Sequence, residues 1–345
     1  MQRCWLVLVI IGAVFGVSSA KAGPPADAPV PIGFAPASQA AQARAEEHAL
    51  SVPTPESARN WLRALTEEPH VAGTPADYKT ALFVRDKLKS WGWQTEIAEY
   101  EVLLNYPSEP TLKIVHPNPK KLKVTEDALP ADKDSASDDA FPAFHGYGAS
   151  GSCKGQVVYA NYGRPEDFAA LEKLGIEVKG KIVLARYGEL FRGLKVREAQ
   201  KRGAIGVLIF SDPADDGYAR GDIYPVGPFR PPSAIQRGSV QFLSLGPGDP
   251  STPNGPSIKG AKRLPIDRYN GFTLLGLEEF RSAGTTPLID PDTRLPVQDW
   301  EKQTGLKRID YFATIPSLPI SYEAALPILE AMGGPNVPTG WQGGL

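Results

Sequence analysis

The sequence predicts a mixed α/β fold, and three observations carry that prediction. Two short apolar, β-branched runs, KIVLARY and AIGVLIF, flank the polar helical stretch LKVREAQKRG, which is a strand–helix–strand pattern. Thr-Pro occurs twice just before apolar residues at helical spacing, at Thr54-Pro55 and Thr74-Pro75; threonine caps a helix there, and proline at the first position gives up an N–H that has no partner anyway. An apolar share of 42% and a charged share of 22% over 345 residues describe a globular chain of about two domains.

Taken in order, residues 1–22 read as a signal peptide. Arg3 supplies a positive charge, and Trp5 to Val17 form an apolar run too short for the roughly 20 residues a bilayer requires. Ala20-x-Ala22 then resembles a cleavage site. The expected location is secreted or periplasmic; the alternative is a membrane anchor formed by residues 5–17. Cleavage would remove Cys4, one of two cysteines, and leave Cys153 without an internal disulfide partner. Residues 23–39, rich in Pro and Ala, read as a linker.

Helices are expected over Ala40–Leu50, from Pro55 until Pro69 stops the run, and from Pro75 to Gly92. Trp61, Leu62 and Leu65 form the stripe of the second, and Ala81, Val84, Leu88 and Trp91 that of the third. WQTEIAEYEVLL then reads as a strand with a bulge between Ile97 and Tyr100. Pro107 to Asp139 reads as mostly irregular. GQVVYANYG is strand-like, and PEDFAALEKLG is a short helix from Pro165. KIVLARY is a buried strand, Phe191-Arg192-Gly193 a turn, and LKVREAQKRG a helix in which Glu198 pairs with Arg202 and Gly203 takes the left-handed cap. AIGVLIF returns parallel to the first strand, which puts Arg192 at the carboxyl end of the sheet, where open α/β layers bind ligands. Gly217 to Gly260 should be loops with short strands such as VQFLSLG. Leu274–Ser282 and Tyr322–Met332 read as helices.

The chemistry visible in the residues is sparse. A net charge of −2 with scattered Lys and Arg gives no electrostatic case for nucleic acid or an anionic membrane. The four histidines, His48, His70, His116 and His145, share no metal-ligand spacing, so no catalytic zinc site is expected. Glu278-Glu279 reads as a solvated helix face. Gly148-Ala149-Ser150-Gly151 does not fit the nucleophile elbow. Cys153 has no activator and reads as a buried or idle thiol. No phosphate loop is present. Arg192 has two readings: a fixed fork of donors for a carboxylate, or a solvent-facing turn arginine.

Several motifs in one order carry a resemblance: NWLRALTEEPHVAGT, YEVLLNYP, GQVVYANYGRPEDFAALE, GKIVLARYGELFRGLKVREAQKRGA, GVLIFSDPAD, IQRG and GPGDPSTP. Together they resemble the glutamate carboxypeptidase II group, which includes prostate-specific membrane antigen, the transferrin receptor and the N-acetylated acidic dipeptidases. The resemblance implies that residues 40–107 are the N-terminal helix–helix–strand piece of a zinc-peptidase domain. It implies that residues 108–335 are a protease-associated (PA) domain of β-strands with flanking helices, carrying an extra segment, 265–312, that matches no family motif. Residues 336–345 would be a truncated return to the peptidase domain.

In that family the zinc ligands and the glutamate base follow the PA domain, so this chain is expected to hold no catalytic residue and no cofactor by itself. Zinc and calcium would come only with the missing catalytic part. Arg192 matches the arginine that grips the substrate's terminal carboxylate. Ser239 stands where glutamate-specific members have Asn, which argues against a strict glutamate preference. Thr252 and Gly255 match donors to a structural calcium, as a partial site. The function implied is the exported N-terminal portion of a zinc-dependent exopeptidase that binds a substrate carboxylate without hydrolysing it alone. The expected partners are a peptide or acidic dipeptide, the missing peptidase half and a second copy in a homodimer, with no nucleic acid. The alternative is a stand-alone extracytoplasmic PA-domain module that binds peptides or proteins.

Overall fold

The computed structural model describes residues 33–107, 109–242, 248–249, 251–252, 255–261, 302, 313–334 and 337–344. The chain divides into two units, residues 1–65 and 66–345. The signal-peptide reading of residues 1–22, the helix expected at Leu274–Ser282 and nearly all of the extra segment 265–312 lie outside the described residues. No helix among the described residues is long and apolar enough to cross a membrane.

The first unit holds α1 (Gln39–Ser51) and α2 (Pro55–Leu65). At the start of α2 the cap is reciprocal. The Ser57 N–H donates to Thr54 Oγ1 at 3.0 Å and the Thr54 N–H to Ser57 Oγ at 3.1 Å, so two amides that the helix leaves open are satisfied.

The second unit opens with α3 (Pro75–Ser90), capped by Thr74, whose hydroxyl accepts from the Asp77 N–H. Gly92, at φ +87°, ends it. Its N–H donates to the Lys89 carbonyl, and that of Trp93 to Leu88, which is the paired closure that a left-handed glycine permits. The strand expected in WQTEIAEYEVLL does not form: residues 93–104 join no ladder. A strand exists through its neighbour, and here the Glu101 N–H donates to the Ser257 carbonyl, in a loop, while Tyr147 Oη donates to the Leu103 carbonyl. The stretch expected to be irregular instead contains an antiparallel hairpin, β1 (Leu112–Ile114) with β2 (Lys120–Leu122). Leu112 lies opposite Leu122, and their shared apolar face gives a strand pair embedded in Pro- and Lys-rich sequence something to pack.

The centre of this unit is a four-stranded parallel sheet in the order β4 (Val157–Tyr159), β5 (Ile182–Arg186), β6 (Gly206–Phe210), β8 (Ser317–Ile320). A separate short parallel pair joins β3 (His145–Gly146) to β7 (Gly238–Ser239). The strands are nearly continuous apolar runs because both faces are covered. Alternate residues serve opposite cores. Val183, Ala185, Val207 and Ile209 pack with Phe168 and Leu171 of α4 (Pro165–Lys173) and with Val196 and Ala199 of α5 (Arg192–Lys201). Leu184, Leu208, Phe210 and Ile320 pack with Ala325 and Ile328 of the last helix and with Leu122 of the hairpin. That helix, numbered α7 here (Tyr322–Glu330), follows the short α6 (Pro213–Asp216) in chain order.

Two local expectations need adjustment. Arg192 is the first residue of α5 and not part of a turn, because the extended Phe191 before it serves as the cap. Just before VQFLSLG, Gly238–Ser239 forms β7, and residues 240–242 join no strand, although the Val240 N–H still donates to the Gly146 carbonyl at 2.8 Å; residues 243–246 of that stretch lie outside the described residues.

Candidate functional site

The carboxyl end of β5 and the first turn of α5 bring Arg192 beside β7. The Arg192 guanidinium lies against Gly238: a Cβ added at Gly238 would sit 2.3 Å from an Arg192 terminal nitrogen. Gly238 also holds φ +155°, a conformation that favours glycine, and a side chain there would displace the Arg192 guanidinium. The Tyr187 and Phe191 rings flank the guanidinium at 5.7 and 5.4 Å, within cation–π range. Ser239 follows Gly238 directly, half-buried, with its hydroxyl accepting from the Gln241 N–H at 3.0 Å. Arg192 and Ser239 are thus neighbours through β7. Arg192 Nε is buried with no hydrogen-bond partner, and among the described residues no carboxylate forms an ion pair with Arg192. By contrast, Arg186, one strand end away, is buried in a pair with Asp212 at 3.2 Å.

A polar chain supports this corner, and sequence reasoning did not assemble it. Tyr187 Oη donates to the Gln236 carbonyl at 2.7 Å, and His145 Nε2 lies 3.0 Å from the same phenol. With the phenol hydrogen already committed, His145 Nε2 must be the donor, so Nδ1, 2.9 Å from Ser317 Oγ, accepts. This tautomer is neutral. Burial first, and Arg192 second, hold the His145 pKa down to about 3. Burial likewise raises the Tyr187 phenol well above its usual range, against the pull of Arg192. In the sequence, His145 reads only as a possible metal ligand. The signal available in sequence was its place before a glycine-rich turn, which says nothing of Ser317, 172 positions away.

Thr252 and Gly255 are joined by one turn, the Gly255 N–H donating to the Thr252 carbonyl at 3.1 Å. The Thr252 hydroxyl meets Ser257 Oγ at 2.7 Å, and Ser251 and Ser257 both donate to the Asp249 carboxylate. Calcium takes 6–8 oxygens. Here the cluster offers one carboxylate whose oxygen already accepts two hydroxyls, so the described residues do not by themselves fit that ion. For zinc, no group of three His, Cys, Asp or Glu side chains that could hold a metal occurs among the described residues.

A larger cleft of about 1710 Å³ includes His145, Tyr159 and Cys153 in its wall but neither Arg192 nor Ser239. Cys153 is solvent-exposed, not buried, and desolvation by its surroundings raises its pKa away from the reactive thiolate. Cys153 therefore brings no activated thiol to this cleft.

Comparison with known proteins gives this arrangement its context. Residues 149–243 match the PA domain family. A probable glutamate carboxypeptidase of Arthroderma benhamiae is 46% identical over 199 residues, which is 56% of this chain and 27% of that protein. A glutamate carboxypeptidase 2 homolog of Caenorhabditis briggsae is 35% identical over 298 residues, 84% of this chain and 34% of that protein. A probable glutamate carboxypeptidase of Zea mays is 34% identical over 284 residues, 82% of this chain and 31% of that protein. The chain spans about a third of the length of these relatives. With its parallel sheet and flanking helices, the chain carries a PA domain and belongs to the glutamate carboxypeptidase-like peptidase family.

Proposed function

We propose that this chain supplies the substrate-carboxylate grip of an exported, glutamate carboxypeptidase-like zinc exopeptidase, and that it does not hydrolyse peptides by itself. Arg192 takes the terminal carboxylate, and Ser239 borders the same place. The observation that carries this reading is the state of Arg192. Its buried Nε lacks a hydrogen-bond partner, the rings of Tyr187 and Phe191 lie within cation–π range of it, and no acidic side chain among the described residues forms an ion pair with it. The buried Nε atoms of Arg186 and Arg197 are open as well, but both of those arginines have an acidic partner; Arg192 has none among the described residues, and a planar guanidinium is the group best suited to bind a carboxylate through two bonds. Relatives named glutamate carboxypeptidases support a peptide that ends in a free carboxylate as the substrate class. Zinc, when bound in such an enzyme, supplies an activated water. No step is assigned to it here, because the described residues group no ligand set for it.

Calorimetric titration of the full chain with N-acetyl-alanylglutamate and with its C-terminal amide tests the grip. The acid is expected to bind and the amide not. Arg192→Ala should weaken binding of the acid by roughly 10- to 100-fold, the value of a charge-assisted hydrogen bond. Equal binding of acid and amide, or an unaffected R192A variant, overturns the reading. Turnover of the same dipeptide on adding zinc, well above blank, overturns the claim that the chain does not hydrolyse alone.

A further inference from the structure

One buried cation in this corner has no role in the grip as described so far. Lys195 lies one helical turn beyond Arg192 in α5 and is 1% exposed. Among the described residues no carboxylate is bonded to it. Its ammonium donates to two backbone carbonyls instead, those of Tyr162, in the loop between β4 and α4, and of Gly188, in the loop between β5 and α5. The ammonium also lies 5.7 Å from the centre of the Tyr162 ring, and a charge removed from water to this extent is costly.

The loop it holds is tightly bent. The Leu190 N–H donates to the same Gly188 carbonyl at 2.6 Å, closing a three-residue turn, and Glu189 at its centre sits at φ +59°, a strained conformation for a residue with a side chain. Tyr187 and Phe191, the two rings against the Arg192 guanidinium, stand on either side of this turn.

We propose that Lys195 is a positioning residue for Arg192: its ammonium keeps the loop between β5 and α5 in the shape that presents the guanidinium to a carboxylate. This rests on the reading of Arg192 given above. The charged groups around Lys195 are Asp167 of α4 and Glu189 of the bent turn, which favour the ammonium, and Arg164 and Arg186, which oppose it. Burial is the largest influence and brings the Lys195 pKa down to about 7. The clamp is therefore fully charged in mild acid and loses its proton as pH rises through neutrality.

The test is calorimetric titration of the full chain with N-acetyl-alanylglutamate at about pH 6 and about pH 8.5, a window in which the ligand carboxylate does not titrate. The proteins are the wild type, R192A, K195M, K195R and the R192A/K195M double variant, with circular dichroism to check folding. K195M is expected to bind about tenfold more weakly than wild type at the lower pH, an effect of one lost charged bond. The wild type should weaken between the two pH values, K195M should not change, and K195R, which keeps the cation, should recover affinity at both. The double variant should bind no more weakly than R192A, because the two residues act as one unit.

If R192A loses binding while K195M keeps it, the positioning role alone is overturned. If R192A binds like wild type, the carboxylate grip fails and the positioning role with it. Additive losses in the double variant show that Lys195 acts elsewhere and also overturn the proposal. Should K195M not fold, the wild-type profile decides: equal affinity at the two pH values overturns it.

Discussion

Helices α3 and α5 invert what their sequences suggest. α3 carries Ala81, Val84 and Leu88 in an apolar stripe that Trp91 continues at its C-cap, yet none of its residues is buried. α5, RGLKVREAQK, is dominated by charged and polar residues, yet it buries Gly193, Lys195, Val196 and Ala199. The difference lies in their neighbours. α5 lies on a parallel sheet whose facing residues Val207 and Ile209 belong to the same core, and Gly193 lets it approach the segment after β7 so closely that an added Cβ would meet the Gln241 carbonyl at 2.7 Å. Along the segment after α3, the Glu101 N–H is held by a loop carbonyl in place of a ladder. A stripe states what a helix is able to bury; the amount buried is set by what the rest of the chain brings to it.

Substitutions should separate the two regions. The largest effect is expected in the layer that holds α5. Phe168 of α4 is 1% exposed in the same core, so Phe168→Ala should destabilise the chain by about 3–5 kcal/mol, read as a lower urea midpoint. A loss below about 1 kcal/mol would mean that this layer is no better packed than α3.

An intermediate effect is expected from His145, between the sheet and β7. Folded His145 stays neutral until about pH 3, against 6.5 for an ordinary histidine. Between those values the unfolded chain binds the extra proton, so stability is lost as pH falls from about 6.5 towards about 3. The expected loss between pH 7 and pH 5 is about 2 kcal/mol, measured by urea unfolding at each pH. His145→Gln should remove that share of the acid sensitivity, and an identical pH dependence in H145Q would rule out the buried neutral imidazole as its source.

The smallest effect is expected on α3. Val84→Ala, at a position 41% exposed, should change stability by no more than about 0.5 kcal/mol, since little apolar area is lost and alanine favours the helix. A loss as large as that of Phe168→Ala would mean that α3 is packed in solution, and the contrast between the two helices would disappear.

Much of the fold was legible because its signals are local. Thr54-Pro55 and Thr74-Pro75 announce helix starts through hydrogen bonds that span three residues. The strand–helix–strand around LKVREAQKRG is visible through apolar run length, and β5 and β6 are parallel neighbours as that pattern requires. The strand expected in WQTEIAEYEVLL was misread, because alternation describes only half of a ladder. The hairpin of β1 and β2 was missed, because its apolar content in Pro- and Lys-rich sequence is little more than the Leu112–Leu122 pair.

For the candidate site, Arg192 stood out as a residue, but its two readings were separated in sequence only by resemblance. Its environment comes from Gly238, from Tyr187 and from a histidine bonded to Ser317. The sequence by itself determined the family, the capped helices and the buried strands, since each depends on residue type and short-range spacing. Only the tertiary structure decided which helix faces are covered, which arginine has an acidic partner, and that Lys195 is clamped onto two loops. Burial and electrostatic pairing are set by groups far apart in the chain, and no local pattern encodes the distance between them.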